Sequence, residues 1–223
     1  MKTFAIATLA ASVLADAPSK VTITDITYGG SGCPAGSLSG WVSDDNTKLT
    51  LDFDQFVARS GTGVISDTRK NCQVSVLLNY PQGFSYSIAK IDYYGHVKLP
   101  QGLKATQKST YYFSGESNQV SFESTFDGPV DRPYAATDFF QQAVWSPCGI
   151  STRGNVNAQV RISGSPADVN SKAGEISVDQ ATGKVRRVFA LNWKQYYPLV
   201  PNGVTIENKY VNRNQSSIID INQ

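Results

Sequence analysis

Apolar residues recur at every second position along much of this chain, the period at which side chains of an extended strand alternate between two faces. Leu49, Leu51 and Phe53 alternate with polar neighbours, as do Cys72, Val74, Val76, Leu78 and Tyr80. Phe84, Tyr86 and Ile88 keep the same beat, which then shifts phase to Ala89, Ile91 and Tyr93, as a β-bulge produces. Val156, Ala158, Val160 and Ile162 form another run, and Phe189, Leu191 and Trp193 a late one. Turn residues separate them at Tyr80-Pro81-Gln82-Gly83, at Gly115-Glu116-Ser117-Asn118, and in a hairpin from Asp179 to Gly183. About nine or ten short strands without a helical stretch predict an all-β fold, an antiparallel β-sandwich of jelly-roll or immunoglobulin-like type.

The two ends depart from this pattern. At the start, MKTFAIATLAASVLADA joins a basic Lys2 to an uncharged, mostly apolar run from Phe4 to Leu14 and then small residues, the composition of a secretory signal. The run is shorter than the roughly 20 apolar residues that span a bilayer, so no membrane anchor is expected. Cleavage can fall after Ala15 or after Ala17, and the second would put Pro18 directly behind the scissile bond. Residues 1–15 are therefore expected to be removed, leaving a secreted, extracellular chain from Asp16. A single domain over residues 16–195 is expected, since a sandwich can occupy ~200–250 residues. Residues 196–223, with two prolines and several asparagines, read as an irregular extension over the surface. They hold the glycosylation sequon Asn214-Gln215-Ser216, which makes the protein a candidate glycoprotein at Asn214.

Composition narrows the partners. Charged residues are 17% of the chain, below the usual ~25%, and the formal net charge is +2 with Lys2 included. So small a charge gives no electrostatic footprint for nucleic acid or an anionic membrane. A monomer needing no cofactor or metal is expected. In an oxidising compartment two of the three cysteines, Cys33, Cys72 and Cys148, are expected to bond. Loop entropy does not choose among the pairings, because the larger loops to Cys148 gain only about 0.6–1 kcal/mol over the smallest.

Four patches, taken in order, resemble a known family. They are YGGSGCPAGS at Tyr28 to Ser37, SDTRKNCQVSVLLNYPQGFSYSI at Ser66 to Ile88, IDYYGHVKLPQGLKATQKSTYYFSG at Ile91 to Gly115, and VWSPCG at Val144 to Gly149. The chain is similar through them to the secreted, mainly fungal proteins called domain of unknown function 4360. That resemblance implies a secreted all-β domain of unassigned activity and brings no catalytic residues with it. In such relatives a cysteine follows the last tryptophan, whereas this chain reads Trp193-Lys194-Gln195-Tyr196. If the missing cysteine is the usual partner of Cys148, the resemblance implies a Cys33–Cys72 bond here and a free Cys148.

Little catalytic chemistry is available. His96 is the single histidine, so zinc sites built from two or three histidines are excluded, and so is a copper site that needs an imidazole at the mature N-terminus plus another. Asp92 lies four residues before His96 and would share its strand face, but no GxSxG elbow accompanies them, so His96 reads as a surface or hydrogen-bonded residue. Asp52 and Asp54, at i and i+2, would project from one face at a separation that glycosidases use. Leu49, Leu51 and Phe53 claim the inward side, however, which predicts that the aspartates point into water without the desolvation that makes a general acid. Asp44-Asp45-Asn46 lacks the rest of a calcium loop and reads as a turn. Gly29-Gly30-Ser31-Gly32 lacks the Lys-Ser or Lys-Thr of a phosphate loop. The dibasic Arg69-Lys70 and Arg186-Arg187 make no nucleic-acid patch.

Tyrosine doublets carry the strongest binding signal. At Tyr93-Tyr94, Tyr111-Tyr112 and Tyr196-Tyr197 one ring of each pair should enter the core and the other meet solvent. Aligned outer rings of Tyr94, Tyr112 and Tyr197 would make a platform for sugar rings, against the ordinary alternative of cross-strand aromatic packing. The leading reading is a secreted, non-catalytic binding protein acting at a polysaccharide, cell wall or host surface. The alternatives are an extracellular carbohydrate-active hydrolase using Asp52 and Asp54, and a structural wall or matrix component.

Overall fold

The alternation seen in the sequence becomes the core of a two-sheet sandwich in the computed structural model, which describes residues 11–141, 143–148, 151–177 and 185–197. Thirteen strands follow one another among these residues. They are β1 (Ala11–Ala15), β2 (Thr22–Gly29), β3 (Leu38–Val42), β4 (Lys48–Phe53), β5 (Ala58–Ser60), β6 (Arg69–Asn79) and β7 (Phe84–Leu99). After these come β8 (Leu103–Phe113), β9 (Gln119–Asp127), β10 (Val130–Phe139), β11 (Arg153–Gly164), β12 (Gly174–Ser177) and β13 (Val185–Tyr197). The count exceeds the expected nine or ten because short strands such as β3, β5 and β12 hold too few residues to display a period.

A five-stranded sheet runs β2-β6-β11-β8-β9, and an eight-stranded sheet runs β3-β4-β13-β7-β12-β5, with β10 also on β7 and β1 on β13. The pairings among β2–β13 are antiparallel. The expected bulge is present: the β13–β7 register shifts between Ala190 and Leu191, opposite Lys90 and Ile88. Between the sheets, Cys72, Val74, Val76 and Leu78 of β6 face Leu51, Phe53, Ile91 and Phe189 of the other layer, all buried. Ring edges lock the layers together, Tyr86 against Phe113 at 5.1 Å and Tyr111 against Phe189 at 5.8 Å.

Two departures from the expected pattern have local causes. Strand β13 continues through Tyr197, two residues past the expected domain end, because Tyr196 N–H donates to Gly83 O. A six-residue helix, α1 (Pro166–Ser171), appears where none was expected. Ser165 caps it by accepting from Asp168 N–H at 3.1 Å and Pro166 opens it, signals too local to produce a periodicity. The expected Asp179–Gly183 hairpin, the rest of the C-terminal extension and Asn214 lie outside the described residues.

Cys33 and Cys72 are joined by a disulfide, as the resemblance implied, and Cys148 is a free, exposed thiol. The bond ties the loop after β2 onto β6. There Gly30 takes φ +148°, and an added Cβ would come within 2.2 Å of Asn71 O, so a side chain has no room.

Candidate functional site

The outward side of the eight-stranded sheet concentrates the chemistry. Leu38, Gly40 and Val42 of β3 turn toward the core, which leaves Trp41 outward and 43% exposed. On β7, Tyr93 is buried and Tyr94 outward, 39% exposed. On β10, Tyr134 is buried, and the opposite phase brings out Thr137 and then Phe139, which is 62% exposed. Registers place these residues in rows across the strands. Trp41, Thr50, Val188, Asp92 and Thr137 stand opposite one another in sequence, and Ser39, Asp52, Arg186, Tyr94 and Ala135 form the next row. With strands about 4.8 Å apart, Trp41 and Tyr94 are roughly 16 Å from each other.

Between the two rings lies a guanidinium–carboxylate fork. Arg186 Nε donates to Asp52 Oδ1 at 2.8 Å and Nη2 to Oδ2 at 2.9 Å, and the guanidinium carbon sits 5.5 Å from the centre of the Trp41 ring. Further along, Thr137 Oγ1 donates to Asp92 Oδ1 at 2.7 Å, and Lys90 Nζ lies 3.0 Å from Asp92 Oδ2. Partial burial pushes the Asp92 carboxyl upward, but the Thr137 hydroxyl and Lys90 outweigh it and hold the group below its ordinary range. The face thus offers apolar rings with fixed hydrogen-bonding groups between them.

Several expectations need correction. Asp52 faces outward as expected but is not solvated: Arg186 covers it, leaving the side chain 2% exposed, and both its oxygens are engaged. Asp54 does not share a strand face with it, because β4 ends at Phe53 and the Asp54 backbone turns to donate to Ser37 O. His96 is buried on the outward side of β7, but its Nε2 lies 3.2 Å from Asp131 Oδ1, while Asp92 serves Thr137 and Lys90. Asp44 to Asn46 form the turn that was expected: Asp45 accepts from the Ser43 hydroxyl and Thr47 N–H, which lowers its carboxyl to about 2.

The three-tyrosine platform does not form. Tyr93 and Tyr111 meet in the core, hydroxyl to hydroxyl at 2.7 Å, so their neighbours Tyr94 and Tyr112 emerge on opposite faces of the sandwich. Tyr112 is half-buried and its hydroxyl accepts from Gln73 Nε2 at 3.1 Å. Tyr197 ends β13, with its side chain outside the described residues. Among the described residues, the exposed rings that share this face with Tyr94 are Trp41 and Phe139. Phe139-Phe140 is a doublet of the same kind as the tyrosine pairs and was readable by the same rule, whereas Trp41 sits in a segment too short to show its phase. Between the sheets, an apolar gap beside Tyr111 and Leu191 has a volume of about 30 Å³, enough for a water molecule and far too small for a sugar.

Residues 19–195 match the family described as Domain of unknown function (DUF4360). The chain belongs to this family. An "Uncharacterized secreted protein" of Arthroderma benhamiae is 42% identical over 181 residues, a span covering 80% of this chain and 73% of that relative. This DUF4360 protein is likewise secreted. Among solved structures, TmCBM61 in complex with beta-1,4-galactotriose aligns with TM-score 0.26 and 10% identity over 78% of this chain and 89% of that one. A family 11 carbohydrate-binding module from Clostridium thermocellum, in complex with a beta-1,3-1,4-mixed-linked tetrasaccharide, aligns with TM-score 0.24 and 9% identity over 78% and 94%. Likeness at these scores places no ligand on this chain.

Proposed function

We propose that this DUF4360 protein binds polysaccharide outside the cell, without hydrolysing it, through the outward face of its eight-stranded sheet. The observation that carries this reading is the shared placement of Trp41, Tyr94 and Phe139, all exposed on that face, around the Arg186–Asp52 fork. Aromatic rings are normally drawn into a core, and rings held outward on paired strands offer flat apolar surfaces that are already ordered. The carbon-bound hydrogens of a sugar ring stack on such surfaces, while its hydroxyls need the fixed polar groups that Thr137, Asp92 and Arg186 supply. A hydrolase built on Asp52 fits poorly, because Arg186 occupies both carboxylate oxygens.

In this reading the signal is cleaved after Ala15, Asn214 carries a glycan, and the monomer acts at a cell wall or host surface. The test is retention of the secreted protein on insoluble polysaccharides and on a glycan array, with sugar release measured from the same polymers. Retention without release is expected. Release that disappears in Asp52→Asn would replace this reading with the hydrolase, and failure to be retained by any polymer would remove it.

A further inference from the structure

Beyond the aromatic rows, the same face hides two hydroxyls that have no partner. Ser85 and Ser87 are both 0% exposed, and neither Oγ makes a hydrogen bond. They lie on the outward side of β7, since Tyr86 between them fills the core. On one flank Ser85 stands opposite Lys194 and Ser87 opposite Asn192 of β13. On the other flank β10 has already ended at Phe139, and Trp145 takes over the edge in a single bridge to Ser87.

Residues paired across a bridge point the same way, so the Trp145 indole rises on the outward side. Lys194 Nζ lies 4.1 Å from its centre. Since Lys194 and Trp145 stem from opposite flanks of β7, the ring and the ammonium meet over β7 at the serines. Buried hydroxyls without partners are costly, and two neighbouring ones beneath a half-buried tryptophan call for a ligated state in which they are paired.

We propose that Ser85, Ser87 and Lys194 form a subsite for an acidic sugar, covered in the free protein by the Trp145 indole and opened when that ring swings outward. The proposal rests on the polysaccharide reading and deepens it. An ammonium only donates, and the two hydroxyls lack an acceptor, so the group that completes all three is one that only accepts. A sugar carboxylate is such a group, and its hydrogen bonds to the ammonium are charge-assisted.

The test compares retention on polygalacturonate with retention on its methyl ester, which keeps the backbone and removes the charge. Wild type is expected to hold the acid form roughly tenfold more tightly, the worth of one charge-assisted contact. The Ser85→Ala/Ser87→Ala variant and Lys194→Met should each lose that preference. Lys108→Met, which removes a lysine from the other sheet, should keep it. The double serine variant should also melt no lower than wild type, because it removes two unpartnered buried hydroxyls. Equal retention of acid and ester by wild type overturns the acidic subsite and leaves the polysaccharide reading standing. So does a preference that survives both variants. Retention of neither polymer overturns the acidic subsite, and the polysaccharide reading falls with it only if no other polymer is retained.

Discussion

Arg187 brings a guanidinium into a core of rings, with no exposure at all. Its Nη1 donates to the Ser109 hydroxyl, and its charge lies 5.4 Å from the Phe53 ring centre, 5.7 Å from Phe56 and 5.2 Å from Tyr93. Desolvated cation–π contacts contribute up to about 2 kcal/mol each and offset part of the burial cost. Arg187→Ala, which removes both these contacts and the packing, should destabilise the protein by about 3–5 kcal/mol in denaturant unfolding. The inward phase of residue 187 was legible from Phe189, Leu191 and Trp193. That a charge would follow this phase was not, because periodicity reports direction and says nothing of what compensates a charge. Around it, burial pushes Tyr93 and Tyr111 upward while Arg187 pulls both back in part, and burial raises Tyr134 to about 12 and Tyr86 as well. A group whose folded value is raised holds its proton more tightly in the folded state, so its contribution is complete below the unfolded value of 10.0 and fades above it. Stability should therefore stay level up to about pH 10 and fall toward pH 12, with phenolate absorbance appearing together with unfolding. Free titration of these tyrosines in a folded protein near pH 10 would contradict their burial.

At the level of elements, β3, β4 and β13 act as one unit because the fork from β13 closes on β4 beneath a ring from β3. Asp52→Asn keeps the shape but removes the charge from a bidentate pair, and hydrogen bonds to charged groups are worth about 1.5–3 kcal/mol. A loss in that range, or somewhat less because Arg186 is 35% exposed and can turn to water, is expected from thermal unfolding. An unchanged melting temperature would mean that the fork is not formed in solution. The aspartates illustrate the limit of pattern reading. Alternation correctly placed Asp52 outside, yet only the register, which sets Arg186 opposite it, reveals the ion pair. Register depends on which strands pair, and no local period encodes that.

For the whole molecule, the Cys33–Cys72 bond closes a loop of 39 residues in sequence separation, worth about 4 kcal/mol on the chain-entropy account. The Cys33→Ala/Cys72→Ala variant should lose about that much yet keep its fold, since the apolar faces of the two sheets still bury one another without the bond. A variant that fails to fold would assign the bond a larger role than a staple. The sandwich itself was legible because each layer buries one side of its strands, which is the property alternation reports. The proposed face was only half legible: the outward turn of Tyr94 was readable from its doublet, but the sequence could not say which sheet each doublet joins, and so it grouped Tyr112 with a face on the opposite side of the molecule. That separation supplies the most direct test of the account. Retention on the polysaccharide that wild type binds best should weaken by about 1 kcal/mol or more in each of Trp41→Ala and Tyr94→Ala and stay unchanged in Tyr112→Ala. Loss of retention in Tyr112→Ala, with Trp41→Ala and Tyr94→Ala unaffected, would place binding on the other sheet and contradict it.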